Sequence, residues 1–168
     1  MSEKWPTWRL LCVVAAFGLL AVSPAEPQTS VKPLPKPEPV AETKLLMEGL
    51  NQANFRGLER ILKDKPDNGE AWVFARGQAL IIAETANLLM LRPPKSQGQT
   101  IWLDRSADLR TAAARLAGAA AAKDLPRSRD GLIEIANSCN RCHQAFRIPV
   151  RITPFADAAD RNLRPPIP

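Results

Sequence analysis

Tyrosine is absent from this 168-residue chain, histidine occurs once, and cysteine and methionine occur three times each. Three cysteines cannot make the disulfide framework of a small secreted scaffold. No uncharged run reaches the ~20 residues that carry a helix across a bilayer. The net charge is +6, yet no Lys/Arg cluster interleaved with aromatics appears, which speaks against nucleic acid as a partner. No stretch alternates apolar and polar residues with the period of a strand.

What is present begins with an export signal. Lys4 and Arg9 precede the 13 uncharged residues LLCVVAAFGLLAV, 10 to 22, and Ser23 and Ala25 supply the small residues of a cleavage site. Residues 1–25 thus read as a signal peptide cut before Glu26, and an uncleaved signal would leave a membrane tether through the N-terminus. The expected location is periplasmic. Cys12 lies inside the signal as apolar filler, so Cys139 and Cys142 are the only thiols of the mature chain. That chain keeps 21 of 23 basic and 16 of 17 acidic residues, a mild +5 suited to docking an acidic redox partner or simply to solubility.

Residues 26–40 form a Pro-rich linker, since six prolines fall within 24 to 40 and favour an extended tether. Pro and Gly then break residues 41–148 into four helical stretches, at 64 to 69, 92 to 99 and 122 to 128. The expected buried stripes are Met47, Leu50, Asn54, Leu58 and Ile61; Trp72, Arg76, Ala79, Ala83, Ala86 and Met90; Trp102, Ser106, Leu109, Ala113, Leu116 and Ala120; and Leu132, Ile135, Cys139, Cys142 and Phe146. No surface stripe distinct from these is legible. Four helices on short connections predict an all-α, up-down-up-down antiparallel four-helix bundle. Residues 149–168 hold five prolines and predict an irregular C-terminal tail, with Ile152 and Phe155 as the residues to pack back on the bundle.

The chemistry concentrates in SCNRCHQAF, 138 to 146, which contains two of the three cysteines and the only histidine. Cys-x-x-Cys-His is the attachment signature of c-type haem: two thiols bond the vinyl groups and the imidazole ligates iron. Helical spacing puts Cys139 and Cys142 on one face with His143 projecting from the same side. A disulfide is one rival, but a thioredoxin-like pair belongs to a βαβ pattern that is missing here. Zinc is the other, and two Cys with one His leave its tetrahedron one ligand short.

One covalently bound haem c is therefore expected, on Cys139 and Cys142, with its iron on His143. The sixth position decides between electron transfer and ligand binding. Met47 and Met90 are the only methionines of the mature chain. With antiparallel first and fourth helices, Met47 and His143 each lie ~8 Å inside the same end of the bundle. Met47 is the expected ligand, an open position the next candidate, and Met90 a filler of core space. Arg147 is within reach of a propionate but reads first as a surface arginine, and Phe146, Trp72 and Trp102 read first as core. A haem peroxidase would want a distal acid and base. The one histidine is already spent on the proximal side, so an enzyme is not expected.

These residues resemble the class II c-type cytochromes, the cytochrome c-prime group, from about Glu42 to Arg147. The matching marks are DLPRSRDGLIEIANSCNRCHQAFR at 124 to 147, TIW at 100 to 102 and LLMEG at 45 to 49. The resemblance implies the bundle fold. It also implies a low-spin His/Met branch in which Met47 stands at the position of the first-helix ligand. High-spin members lack that ligand and bind nitric oxide or carbon monoxide. Members often dimerise through their first two helices, which leaves a homodimer open here. The long Pro-rich tether and the twenty-one residues after Arg147 depart from the family pattern. The function expected is a periplasmic single-electron carrier for an unidentified redox protein; the alternative is a gas-binding sensor or scavenger.

Overall fold

The computed structural model describes residues 35–155, and its compact part begins at Pro37. The signal or anchor, most of the linker and the last thirteen residues lie outside the described residues. All regular structure among those described is helical. Helix α1 runs as α-helix over Thr43–Leu46, as π-helix over Met47–Gln52 and as α-helix again over Ala53–Lys63. It is followed by α2 (Gly69–Met90), α3 (Gln99–Ala121) and α4 (Leu125–Ala145). No helix among the described residues is long and apolar enough to cross a membrane.

Each boundary has a local cause. The Asn68 side chain accepts from the Ala71 amide at 2.9 Å and opens α2. Gly98 sits at φ 84°, a left-handed conformation open to glycine without penalty, and turns the chain into α3. Asp124 accepts from the Arg127 amide at 3.0 Å, and Pro126 occupies the first turn of α4, where its missing N–H costs nothing. The helix therefore starts three residues inside the expected break. Arg129 donates to the Leu62 and Lys63 carbonyls, both at 2.7 Å, and closes the free end of α1.

The four helices pack together, α2 most broadly against α3, α3 against α4, and α1 against both α2 and α4. Leu58, Leu62, Ile82, Leu116, Leu132 and Ile135 are fully buried. Burial of each contributes about 2–3 kcal/mol. Ala75, Ala79, Ala83 and Ala86 of α2 and Ala112, Ala113, Ala117 and Ala120 of α3 are also buried, and their small side chains let the two axes approach. The expected stripe of α3 is buried except for Trp102, which is only half-buried, and Ala112 and Ala117 widen it.

The other three stripes need correction. In α4 Leu132 and Ile135 are buried as expected, with Ala136 and Ser138 beside them, while Cys139, Cys142 and Phe146 are half-buried. In α1 the buried residues are Leu46, Asn51, Phe55, Gly57, Leu58 and Leu62. Of the expected set only Leu58 is fully covered. The step of five from Leu46 to Asn51 spans the π-helical stretch, which adds a residue per turn and rotates everything before it. Asn54 Nδ2 donates to the Leu50 carbonyl at 2.7 Å at the exit of that stretch, a side-chain bond that competes with the regular ladder. In α2, Arg76 is exposed, and the outer face carries Val73, Phe74, Leu80, Ile81 and Leu88 in the open. The helix is thus apolar on both faces, and periodicity alone could not separate a surface stripe from the core one.

Candidate cofactor site

Cys139, Cys142 and His143 occupy the last two turns of α4. The helix stops just beyond them because Arg147 takes φ 55°. The Ile148 amide then donates to the His143 carbonyl at 2.8 Å and the Arg147 amide to that of Gln144 at 3.3 Å, the paired bonds of a Schellman cap. Sequence reasoning extended the helix to Ile148; the cap ends it at Ala145 and reverses the chain.

The reversed segment returns along α4. Its Val150 carbonyl lies 2.8 Å from His143 Nδ1. A carbonyl only accepts, so Nδ1 is the donating nitrogen, and Nε2 is the one left to face a ligand. Metal-binding histidines are oriented in this way, with the remote nitrogen donating to a carbonyl or carboxylate. One turn earlier Asn140 donates to the Ile152 carbonyl at 2.8 Å and accepts from the Ile152 amide at 2.7 Å. Glu59 of α1 accepts from the Phe155 amide at 2.6 Å. Ile152 and Phe155 pack against the core, as their apolar character predicts.

Both cysteines are free thiols and partly buried, and Cys139 touches the core. Burial pushes the Cys139 thiol from 9.0 up to about 12; the neighbouring Cys142 pushes the same way, while a backbone hydrogen bond and Arg141 oppose. Burial also raises Cys142, against the pull of Arg105. Raised folded-state values mean that a chain with free thiols keeps its full stability below about pH 9 and loses it as the pH climbs toward 12. Urea midpoints of that form are expected to fall from pH 9 upward. Thioether formation removes the titration, and with it the fall.

Met47 lies at the start of the π-helical stretch, half-buried against the core, and its sulfur accepts from Asn51 Nδ2 at 3.3 Å. A contact chain links this end of α1 to the end of α4. Arg92 Nε donates to the Ala41 carbonyl at 3.0 Å, and Trp102 Nε1 donates to the Leu89 carbonyl at 2.7 Å. Trp102 then meets Phe146 edge to face, with ring centroids 5.2 Å apart. Trp72 is a core residue, Met90 is half-buried at the end of α2, and Arg147 is exposed. Two buried polar atoms near the candidate residues in sequence, Asn51 Oδ1 and Ser138 Oγ, have no hydrogen-bond partner.

Among the described residues no three His, Cys, Asp or Glu side chains converge as a chelating cluster. A porphyrin iron asks less of the chain: two thiols for covalent attachment, one neutral imidazole with a free nitrogen and, at most, one further axial ligand. Cys139, Cys142 and the Nε2-free His143 fit that demand. Two surface clefts, one between Arg115 and Glu134 and one lined by Gly57, Arg60, Ile61 and Phe74, touch none of these residues. Val150, Asn140, Asn51 and Glu59 were not legible as site residues, because each acts through a contact that no motif encodes. No protein-family model, no curated protein and no solved structure matches the chain.

Proposed function

We propose that the protein is an exported, periplasmic c-type haem protein that carries single electrons, built on an up-down-up-down bundle like that of the cytochrome c-prime group. The observation that carries this reading is the state of His143: its Nδ1 is tied to the Val150 carbonyl, leaving Nε2 free beside two free thiols at helical spacing. The contacts joining the starts of α1 and α3 to the ends of α2 and α4 support the alternating arrangement.

When bound, the haem supplies an Fe(II)/Fe(III) couple. The chain's own residues hold and insulate it. Cys139 and Cys142 anchor it through two thioethers on one face of α4. His143, its Nδ1 held by the Val150 carbonyl, would offer Nε2 to the iron, and Met47 would offer a thioether, a ligand type that favours the reduced state. Trp102 and Phe146 form an apolar wall at the same end and shield the site from water. Holding both side chains in place through a change of charge would keep reorganisation small.

One observation favours a second reading. The Met47 sulfur already accepts a hydrogen bond from Asn51, and a thioether held back by that bond would leave an open position for nitric oxide or carbon monoxide.

The first test is expression in a host with c-type maturation. The purified protein is expected to be coloured, to stain for haem on a denaturing gel and to gain the mass of one haem. Cys139→Ala with Cys142→Ala abolishes the stain. A colourless wild type of unmodified mass overturns the proposal.

A further inference from the structure

The residues after α4 are irregular in sequence, yet residues 150–155 are tied down at three points. Asn140 closes both hydrogen bonds of Ile152, as a neighbouring strand would. Glu59, on a different helix, holds the Phe155 amide. Between these anchors and the Schellman cap, Val150 is left with its carbonyl on His143 Nδ1. The Ile152 and Phe155 side chains add apolar contact with the core. The strap meets two ionisable side chains, Glu59 through the Phe155 amide and His143 through the Val150 carbonyl, and the second of these is the single histidine.

We infer that residues 149–155 are a positioning strap for the axial histidine, and that Asn140 is the positioning residue that holds the strap in place. The inference rests on the haem reading above. A backbone carbonyl cannot titrate or swing away on its own, so the acceptor opposite Nδ1 is constant across pH. It stops rotation of the ring and makes the imidazole more electron-rich, which strengthens its bond to ferric more than to ferrous iron. The hydrogen bonds of the Asn140 side chain go to Ile152 and not to the ring. The residue acts by holding Ile152, two residues beyond Val150.

The test uses the haem-loaded protein, with two variants: Asn140→Leu, branched at the same atom but unable to hydrogen-bond, and a chain ending at Ile148. Both are expected to move the midpoint potential positive, by about a tenfold change in ferric-over-ferrous preference, which for one electron is about 59 mV. In a Met47→Ala background, the ferrous iron–histidine stretch in resonance Raman spectra falls in frequency in both variants. The His143 Nδ1 proton, slow to exchange with water in the wild type, becomes fast. A structural role alone would lower the melting temperature and leave potential and stretch where they were. Covalently loaded variants with wild-type potential and stretch overturn the strap and leave the haem reading standing. A colourless wild type overturns both.

Discussion

If the proposed haem and its Met47 ligand are in place, Met47→Ala is expected to turn a low-spin protein that ignores carbon monoxide into a high-spin one that binds it. A chain-borne ligand occupying the sixth position about 99% of the time lowers the apparent affinity of an external one about 100-fold, and its removal restores that factor. Met47 is only half-buried at the edge of the core, so the packing cost is small, although its loss also takes the sulfur from the buried Asn51 amide. Optical spectra of oxidised and reduced protein, with and without carbon monoxide, read the change directly. A wild type that is already high-spin and binds carbon monoxide readily moves the protein to the gas-binding reading, with Asn51 holding the sulfur away.

The largest effect on stability is expected at Gly131→Val. A Cβ built on Gly131 would lie 3.0 Å from Leu116 Cβ and 3.2 Å from its backbone Cα, so any side chain there pushes α3 and α4 apart. Valine adds two methyl groups to that contact, and the cost of overpacking outweighs the roughly 1 kcal/mol that helices gain on losing a glycine. A net loss of about 2–3 kcal/mol corresponds to a melting temperature lower by about 10–20 °C for a domain of this size. Gly57→Ala is the control. Its Cβ would overlap the Gln78 side-chain amide, the movable end of a flexible residue, and not a backbone. Its expected loss is about 1 kcal/mol. Equal losses in thermal melts of the two variants would refute the account of the α3–α4 contact. Because α4 carries the whole Cys139–His143 site, Gly131→Val should also depress the yield of haem-loaded protein.

Much of this protein is legible in residue order because much of it is local. Helix breaks follow from Pro, Gly, Asn and Asp, whose backbone preferences act within a few residues. The stripe of α3 follows from the geometry of a regular helix, and Cys-x-x-Cys-His brings its three reactive side chains together within two turns. The stripe of α1 did not follow, because the π-helical stretch changes the residue count per turn at Met47–Gln52 and shifts the buried face from Leu50 and Asn54 to Leu46, Asn51 and Phe55. The end of α4 did not follow either, because its cap needs a left-handed arginine, which no propensity favours.

By itself the sequence determined the helical class and the segments that pack, and it singled out the candidate cofactor residues, since each of these depends on spacing along one chain. Only the tertiary structure decided how those residues are held. The proton on His143 is assigned by a carbonyl seven residues away across a chain reversal, the Met47 sulfur by an amide inside a π-helical turn, and the strap by Glu59 from another helix. Hydrogen bonds of this kind depend on where two atoms meet in space, and separation along the chain does not encode that.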